Sequence, residues 1–416
     1  MNWLRNKLES FGPKTAFVES GKFWSYHEFL SLIEIAGSGL GQSRVALIQT
    51  TSTVEGLAQL IAIAGTEYIA LPLPPSLPEA ERSHMLELVA NSPLYKKLEE
   101  SGLILFSSGT SGEPKGMLHS LPALLNRFKQ VTPREDRTLQ LLLLDHIGGL
   151  DAAFRCLCSG STLIIPEDRN PDAAAQAIEA YGVNILPASP TFLNLVLMNG
   201  ITEKYDCSSV EIIAYGAEAM PQALLKRLGQ AFPQADLQQK FGTSETGAVR
   251  IQSSSKDSLF FRIKDLDTEW KVIENELWLK TPSRIIGYLN ADESSLEVDG
   301  WYRTGDLVEE GPNGTLRIIG RHSETINVGG QKVHPSEVEA VLNQIEGIEA
   351  CYVYGESDSI TGQRVACEIA SSTEKDLRNW KRAIRNHCRG KLAPWKIPAR
   401  INLINQPQLT VRLKRS

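Results

Sequence analysis

The feature that most constrains the fold is an alternation of apolar runs with amphipathic segments between residues 44 and 245. The runs are apolar on both faces, which is typical of strands in a parallel sheet covered by helices on both sides. The predicted strands are RVALIQT, EYIALPL, LQLLLL, STLIIP, VNILPAS, VEIIAYG and ADLQQKF. Among the helices, Asp172–Tyr181 is predicted to begin after Asn170 as the cap and Pro171 in the first turn.

The pattern changes twice further along the chain. After Gly247 the apolar segments are shorter and polar turns join them, which predicts a β-rich subdomain. From Arg321 onward, helical and strand segments predict a small α+β domain. A chain of 416 residues exceeds what one core usually organises. We therefore predict an α/β protein with a large N-terminal domain, residues 1–320, of parallel sheets with helices plus the β-rich subdomain, and a small mobile α+β C-terminal domain, residues 321–416.

Composition limits the classes of partner. The net charge of −6 argues against nonspecific binding of nucleic acid, which requires a basic face. No apolar stretch approaches the roughly 20 residues that span a bilayer, and the charged start predicts no signal peptide. The six scattered cysteines are typical of a reducing compartment. These features predict a cytoplasmic protein whose partners are small molecules or proteins.

A loop rich in glycine and hydroxyl groups, SSGTSGEPKG, spans Ser107–Gly116 between two predicted strands. It is not a Walker loop, because Pro114 precedes Lys115, Gly116 follows it, and the next segment, GMLHS, is predicted to be a strand rather than a helix. Its hydroxyls, exposed backbone N–H groups and lysine could surround a pyrophosphate. Taken alone, such a loop is equally compatible with a plain hairpin turn.

Four motifs in order give the chain a resemblance to the adenylate-forming superfamily, which includes acyl- and aryl-CoA ligases, adenylation domains of peptide synthetases and luciferases. The first is the loop itself, and the second is Phe241-Gly-Thr-Ser-Glu245, with Phe for the family's Tyr and Ser for its Thr. The third is Tyr302-Arg-Thr-Gly-Asp306. The fourth begins with Gly320-Arg-His-Ser-Glu, extends to Gly330 and continues to Glu337-Val-Glu339. The region KVHPSEVE is most similar to the CoA-ligase branch.

The resemblance implies a role for each matched residue. Glu245 would bind Mg²⁺, a hard ion that takes one or two carboxylates plus phosphate oxygens. Asp306 would accept both ribose hydroxyls, Arg321 would bind beside the ribose, and Ser323 would be the hinge of the small domain. Thr243 and Ser244 would contact the α-phosphate of ATP. The β- and γ-phosphates would be bound by Lys115 and by the loop residues Ser107, Ser108, Gly109, Thr110, Ser111 and Gly112. The adenosine would be surrounded by Gly216, Ala217, Glu218, Phe241 and Gly242. The implied acceptor side comprises Gly329, Gly330 and Lys332.

The segment Leu144-Asp-His-Ile-Gly-Gly-Leu150 resembles the acid-binding stretch of the family and places His146 near the acyl carboxylate. Relatives that activate amino acids carry an Asp just after this histidine, where this chain has Ile147. An acid without an α-amino group is therefore expected, although Asp145 lies two residues before Ile147 and a small slip in the alignment would bring it to the substrate instead.

The chain departs from the family at both ends. Its phosphate loop comes tens of residues earlier than in full-length relatives, which predicts an abbreviated start of the large domain. The family ends with a lysine that grips the carboxylate and the α-phosphate, but here the end reads PQLTVRLKRS. Arg412 takes the place of that lysine if one gap is allowed, and otherwise Lys414 could serve.

The resemblance implies ATP-dependent formation of an acyl-AMP, with release of pyrophosphate, followed by transfer to the thiol of coenzyme A. Three alternatives stay open at this point: transfer to the phosphopantetheine of an acyl carrier protein, transfer to an amine, and a non-catalytic nucleotide-binding relative. The intact Glu245 and Asp306 weigh against the last of these.

Overall fold

The computed structural model describes residues 2–49, 53–74, 76–107, 114–291, 295–297, 299–373 and 375–407. The alternating segments form two sheets with helices around them, as the sequence predicts. In the described residues, no helix is both long and apolar enough to cross a membrane.

The larger sheet has seven strands in the order β11-β10-β9-β7-β8-β1-β2, and only the β1–β2 pair is antiparallel. Its strands are β1 (Thr15–Glu19), β2 (Lys22–Ser25), β7 (Arg137–Leu139), β8 (Thr162–Ile165), β9 (Ile185–Ala188), β10 (Ile212–Tyr215) and β11 (Asp236–Gln239). The surrounding helices are α1 (Asn2–Glu9), α2 (Tyr26–Ser38), α6 (Ile147–Ser159), α7 (Pro171–Tyr181), α8 (Pro190–Met198), α9 (Ile201–Lys204) and α10 (Gln222–Ala231).

The second sheet has five strands in the order β18-β6-β5-β4-β3, with parallel β3–β4–β5 and antiparallel β5–β6–β18. Its strands are β3 (Val45–Gln49), β4 (Ile69–Leu73), β5 (Gly102–Ser107), β6 (Lys115–Ser120) and β18 (Gly287–Tyr288), and its helices are α3 (Thr53–Ile63), α4 (Glu79–Asn91) and α5 (Leu121–Asn126). One hydrophobic core joins helices α1, α2, α3, α5 and α6 to strands of both sheets.

The β-rich subdomain is a six-stranded sheet in the order β14-β15-β20-β19-β17-β16, next to the hairpin β12–β13. The bounds are β12 (Phe241–Thr243), β13 (Gly247–Val249), β14 (Ile251–Ser253), β15 (Phe261–Ile263), β16 (Glu269–Ile273), β17 (Glu276–Lys280), β19 (Tyr302–Gly311) and β20 (Thr315–Arg321). The β-rich subdomain is therefore present after Gly247 as predicted. Its strands are not shorter than the earlier ones, because β19 has ten residues whereas β7 has three and β5 has six.

The C-terminal region has its own sheet, in which β25 adds in parallel to β22-β21-β24-β23. Its elements are β21 (Ile326–Val328), β22 (Gln331–Val333), α11 (Pro335–Leu342), β23 (Ile348–Asp358), β24 (Gly362–Ser371), α12 (Leu377–Cys388) and β25 (Arg400–Ile404). Among the residues that the structure describes, its hydrophobic core contains none before Ile326. The predicted α+β arrangement is confirmed, and the boundary between residues 320 and 321 stays a prediction.

Two local outcomes show what sequence patterns can and cannot specify. Helix α7 begins as predicted, with the Asn170 side chain accepting a hydrogen bond from the backbone N–H of Ala173. The predicted strand LQLLLL is wrong after its first residue, because β7 runs from Arg137 to Leu139 and ends there. There the Gln140 side chain donates to the backbone carbonyls of Leu142 and Gly149, and the chain leaves the sheet toward α6.

Candidate active site

The ends of the phosphate loop are fixed by the β5–β6 hairpin. Ser107, the last residue of β5, and Lys115, the first residue of β6, are register partners in the antiparallel pair. Both residues line the larger of two cavities near this loop, which has a volume of about 1760 Å³. The loop residues Ser108, Gly109, Thr110, Ser111 and Gly112 lie outside the described residues.

The backbone on both sides of Lys115 is held by Asn290, which the sequence analysis missed. The Asn290 side chain donates from Nδ2 to the carbonyl of Pro114 at 2.8 Å and accepts at Oδ1 from the N–H of Gly116 at 3.0 Å. Leu289 adds a backbone hydrogen bond to the carbonyl of Gly116 at 2.8 Å. One amide side chain thus fixes the peptide groups from which Lys115 projects, which makes Asn290 a positioning residue.

Replacing Asn290 with Ala should raise the KM for ATP by roughly 10-fold, since two hydrogen bonds of about 1 kcal/mol each would be lost. The value of kcat for acid-dependent pyrophosphate release should change much less. The matched control is Asn386→Ala, because Asn386 is an exposed residue of α12. A loss of kcat at unchanged KM, or no change in either constant, would contradict this role.

Glu245 lies in the tight turn of the β12–β13 hairpin. Gly242 has φ = +156°, and a Cβ at this position would lie 2.4 Å from the carbonyl oxygen of Gly247, so only glycine fits. The Thr243 hydroxyl is buried and accepts hydrogen bonds from the N–H groups of Glu245 and Thr246 at 3.2 and 3.1 Å. Thr243 therefore shapes the turn that presents Glu245, and its contact with a phosphate stays a prediction.

Phe241, Gly242, Ser244 and Glu245 all line the larger cavity. Tyr288, on β18, donates a hydrogen bond to Oε1 of Glu245 at 3.3 Å. Burial, followed by the charge of Glu245, raises the pKa of Tyr288 to about 12, so the phenol keeps its proton. The described residues contain no cluster of three or more His, Cys, Asp or Glu side chains that could hold a metal. A single carboxylate oriented into the cavity suits Mg²⁺ that also takes phosphate oxygens.

Asp306 and Arg321 are register partners on β19 and β20. Nε of Arg321 donates to Oδ1 of Asp306 at 3.0 Å, and only 5% of Asp306 is exposed. Burial raises the pKa of Asp306 to about 6, against the opposing effect of Arg321, and the charge of Glu245 adds to the rise. The carboxylate is therefore ionised at neutral pH and is electrostatically coupled to the Glu245 turn.

The Gly216-Ala217-Glu218 segment crosses close to the strand that leads to Glu245. A Cβ on Gly216 would lie 2.7 Å from the carbonyl oxygen of Lys240, and Ala217 has φ = +70°. Gly216 and Ala217 line the larger cavity. Glu218 instead accepts at Oε2 from the backbone N–H and the hydroxyl of Thr191 at 3.1 and 2.7 Å, in the first turn of α8. Its contact with the adenosine stays a prediction.

His146 caps the N-terminus of α6 and lines the larger cavity. Its Nδ1 accepts from the N–H of Gly148 at 3.1 Å, so a neutral imidazole carries its proton on Nε2. Asp145 is buried, with 3% of its surface exposed. Burial lowers the pKa of Arg169 to about 10, and the charge of Asp145 acts in the opposite direction because it favours the charged guanidinium. Ile147 is buried in the hydrophobic core. Neither neighbour of His146 offers an uncompensated charge to a substrate ammonium group.

A second cavity, of about 1530 Å³, lies between the two domains and is lined by Asp306, Arg321, Glu218 and Ser323. Arg321 and Ser323 line both cavities, so the two adjoin beside the hinge predicted at Ser323. Among the described residues, the predicted acceptor-side residues Gly329, Gly330 and Lys332 line neither cavity. They belong to the β21–β22 hairpin, whose turn has φ = +56° at Gly329 and +86° at Gly330. Arg412 and Lys414 lie outside the described residues.

Comparison with known proteins agrees with this geometry. Residues 90–274 match the model of the AMP-binding enzymes, and residues 337–414 match the model of the AMP-binding enzyme C-terminal domain. Acyl-CoA synthetase 7 of Caenorhabditis elegans is 28% identical over 345 residues, which cover 76% of this chain and 64% of that protein. The chain thus spans less than two thirds of that relative.

The 2-succinylbenzoate–CoA ligase of Listeria monocytogenes is 25% identical to this chain, and the alignment covers 97% of this chain and 95% of that protein. Among solved structures, the anthranilate CoA ligase AuaEII in complex with anthranoyl-AMP has a TM-score of 0.82 at 19% identity, with coverage of 99% of this chain and 95% of that one. The predicted fold class is confirmed.

Proposed function

Because the chain belongs to the AMP-binding enzyme family, we propose that it activates a carboxylic acid with ATP and then transfers the acyl group to coenzyme A. In the first step a carboxylate oxygen attacks the α-phosphorus, an acyl-AMP forms and pyrophosphate leaves. In the second step the thiol of coenzyme A attacks the acyl carbon, and AMP leaves. The names of the relatives support an acid–CoA ligase.

The observation that carries the proposal is the convergence of four groups on two adjoining cavities. Lys115 and Glu245 line the larger cavity, Asp306 lines the second, and Arg321 lines both. Two anions must approach each other in the first step, so fixed cations and hydrogen-bond donors should supply most of the stabilisation. Lys115 would bind the β- and γ-phosphates, and Asp306 would accept the two ribose hydroxyls.

Mg²⁺ would bind to the free oxygen of Glu245 and to phosphate oxygens, where it would neutralise charge on the leaving pyrophosphate. The protein contributes the position of that carboxylate through Tyr288 and Thr243. His146 would donate from Nε2 to the carboxylate of the acid. Arg412 is proposed to bridge this carboxylate and the α-phosphate, since guanidinium can bind both in a bidentate manner, with Lys414 as the alternative.

The experiment is a pyrophosphate-release assay over a panel of aryl and aliphatic acids, with and without coenzyme A. The panel includes matched pairs with and without an α-amino group. The acids without the amino group should give the higher kcat/KM, because Ile147 is apolar and the charge of Asp145 is opposed by Arg169.

A preference for the amino acid of a pair would show that Asp145 faces the substrate. If no acid of the panel supports pyrophosphate release, the proposed activity is contradicted. Thioester formation with coenzyme A, detected by mass, should accompany each active acid. Acyl-AMP that accumulates without thioester would point to a different acceptor.

A further inference from the structure

A fully buried histidine lies on the strand that follows the phosphate loop. His119 is four residues after Lys115 on β6, and none of its surface is exposed. It lies outside the four motifs and has no part in the steps proposed for adenylation. Burying an imidazole is unfavourable unless its polar atoms are paired, so a histidine at this position calls for an explanation.

The imidazole of His119 lies next to backbone groups of two other segments. Burial lowers the pKa of His119 to about 4, whereas hydrogen bonding with the backbone of Ser283 and of Ser244 acts in the opposite direction. A backbone group that favours the protonated ring is an acceptor, so the groups beside the ring are the carbonyls of these two serines. The neutral ring carries one N–H, which serves one carbonyl at a time.

Neither ring nitrogen of His119 reaches full hydrogen-bond geometry with a residue that the structure describes. The fold therefore retains a buried polar group whose desolvation no hydrogen bond offsets. Such a donor is available to a backbone group that moves toward it. The Ser244 carbonyl is the one that a nucleotide would affect, because Ser244 and Glu245 line the larger cavity.

Hydrogen bonds tie the Glu245 turn to the segment that contains Ser283. Oγ of Ser283 donates to the carbonyl of Thr246 at 2.7 Å, and the N–H of Ile285 donates to the carbonyl of Glu245 at 2.7 Å. The same segment continues into β18, which pairs with β6. The turn, β18 and β6 thus form one connected unit, and His119 lies inside it.

We infer that His119 is a positioning residue for Glu245, whose ring N–H donates to the carbonyl of Ser244 when ATP and Mg²⁺ bind. The inference rests on the proposed function, because Glu245 must be the ligand of Mg²⁺. The hydrogen bonds from Ser283 and Ile285 fix the carbonyls that follow the Cα of Glu245, whereas His119 would fix the carbonyl that precedes it. A carboxylate whose backbone is held on both sides loses less conformational freedom when it binds the metal.

The test compares the affinity for ATP with and without Mg²⁺, measured by titration calorimetry in the absence of any acid. His119→Leu removes the donor and keeps an apolar side chain in the core. It should reduce the gain in ATP affinity that Mg²⁺ gives by about 5- to 10-fold, the scale of one lost hydrogen bond. The melting temperature without nucleotide should not fall, because the ring is unpaired there. The matched control is Met117→Leu, a volume-conserving change at a buried residue of the same strand, which should alter neither quantity.

An amide donor separates the hydrogen bond from the shape of the ring. His119→Asn or His119→Gln, whose amide nitrogens can take the places of Nδ1 and Nε2, should restore most of the Mg²⁺-dependent affinity that His119→Leu loses. Failure of both to restore it would overturn the inference.

Three results for His119→Leu would also overturn the inference while leaving the proposed function intact. They are a wild-type gain from Mg²⁺, an equal loss of ATP affinity with and without Mg²⁺, and a large fall in melting temperature, which would give the ring a purely structural role. A wild type whose ATP affinity does not respond to Mg²⁺ would instead contradict the metal site of the proposed function.

Discussion

Glu245→Gln is expected to lower acid-dependent pyrophosphate release by about 10²-fold or more, the scale of removing one preorganised electrostatic group. The substitution keeps the shape of the side chain and removes the charge that Mg²⁺ requires. The fold should survive, because the amide oxygen can still accept the hydrogen bond from Tyr288, and the turn is held by Thr243 rather than by the carboxylate. The measurements are kcat/KM and the concentration of Mg²⁺ that gives half-maximal rate.

Two further variants isolate the charge from the position of Glu245. Tyr288→Phe leaves the carboxylate in place but removes the hydrogen bond that orients it, and should cost far less than Glu245→Gln. Glu211→Gln, at an exposed residue before β10, is the control and should be silent. Wild-type rates in Glu245→Gln at limiting Mg²⁺ would contradict the assignment of Glu245 as the metal ligand.

Ser323→Pro is expected to impair one half-reaction at least about 10²-fold more than the other, because proline fixes φ near −65° and removes the backbone N–H at the proposed hinge. Ser323 lies in an exposed single turn, His322–Glu324, between the two domains. Adenylation is measured by pyrophosphate release, and transfer is measured from preformed acyl-AMP and coenzyme A. Ser323→Ala keeps the conformational freedom and should support both half-reactions.

The proposed rotation would bring the predicted acceptor-side residues to the site. The predicted acceptor-side residues of the β21–β22 hairpin line neither cavity in this arrangement. The small domain is held here by the carbonyl of Glu349, which accepts from the side chains of Asn194 and Arg227 at 3.2 and 3.1 Å. Equal loss of both half-reactions in Ser323→Pro would indicate misfolding rather than a locked domain, and would contradict the hinge.

The sequence predicted those features that depend on local patterns. The cap of α7, the buried strands and the change to a β-rich subdomain follow from residue order and periodicity, and the structure has them. The motifs also located Glu245, Asp306 and Arg321, which the fold brings to adjoining cavities. The run LQLLLL shows the limit, since apolar character continues past Leu139 although the strand ends there.

The missed features are contacts between distant parts of the chain. Asn290 binds the base of a loop 174 and 176 residues earlier, and nothing local to Asn290 signals that partner. Thr243 and Glu218 were found by their motifs, but a motif cannot show which hydrogen bonds a side chain makes within the protein. In the structure both side chains accept hydrogen bonds from other residues of the chain.

The central claim is that a carboxylate oxygen of the acid attacks the α-phosphorus of ATP. The most direct measurement uses an active acid labelled with ¹⁸O in both carboxylate oxygens, followed by mass analysis of the nucleotide and phosphate products after transfer to coenzyme A. The bridging oxygen of the acyl-AMP comes from the acid and leaves with AMP, so AMP should carry one ¹⁸O and pyrophosphate none. Unlabelled AMP, or label in orthophosphate together with ADP, would contradict the account.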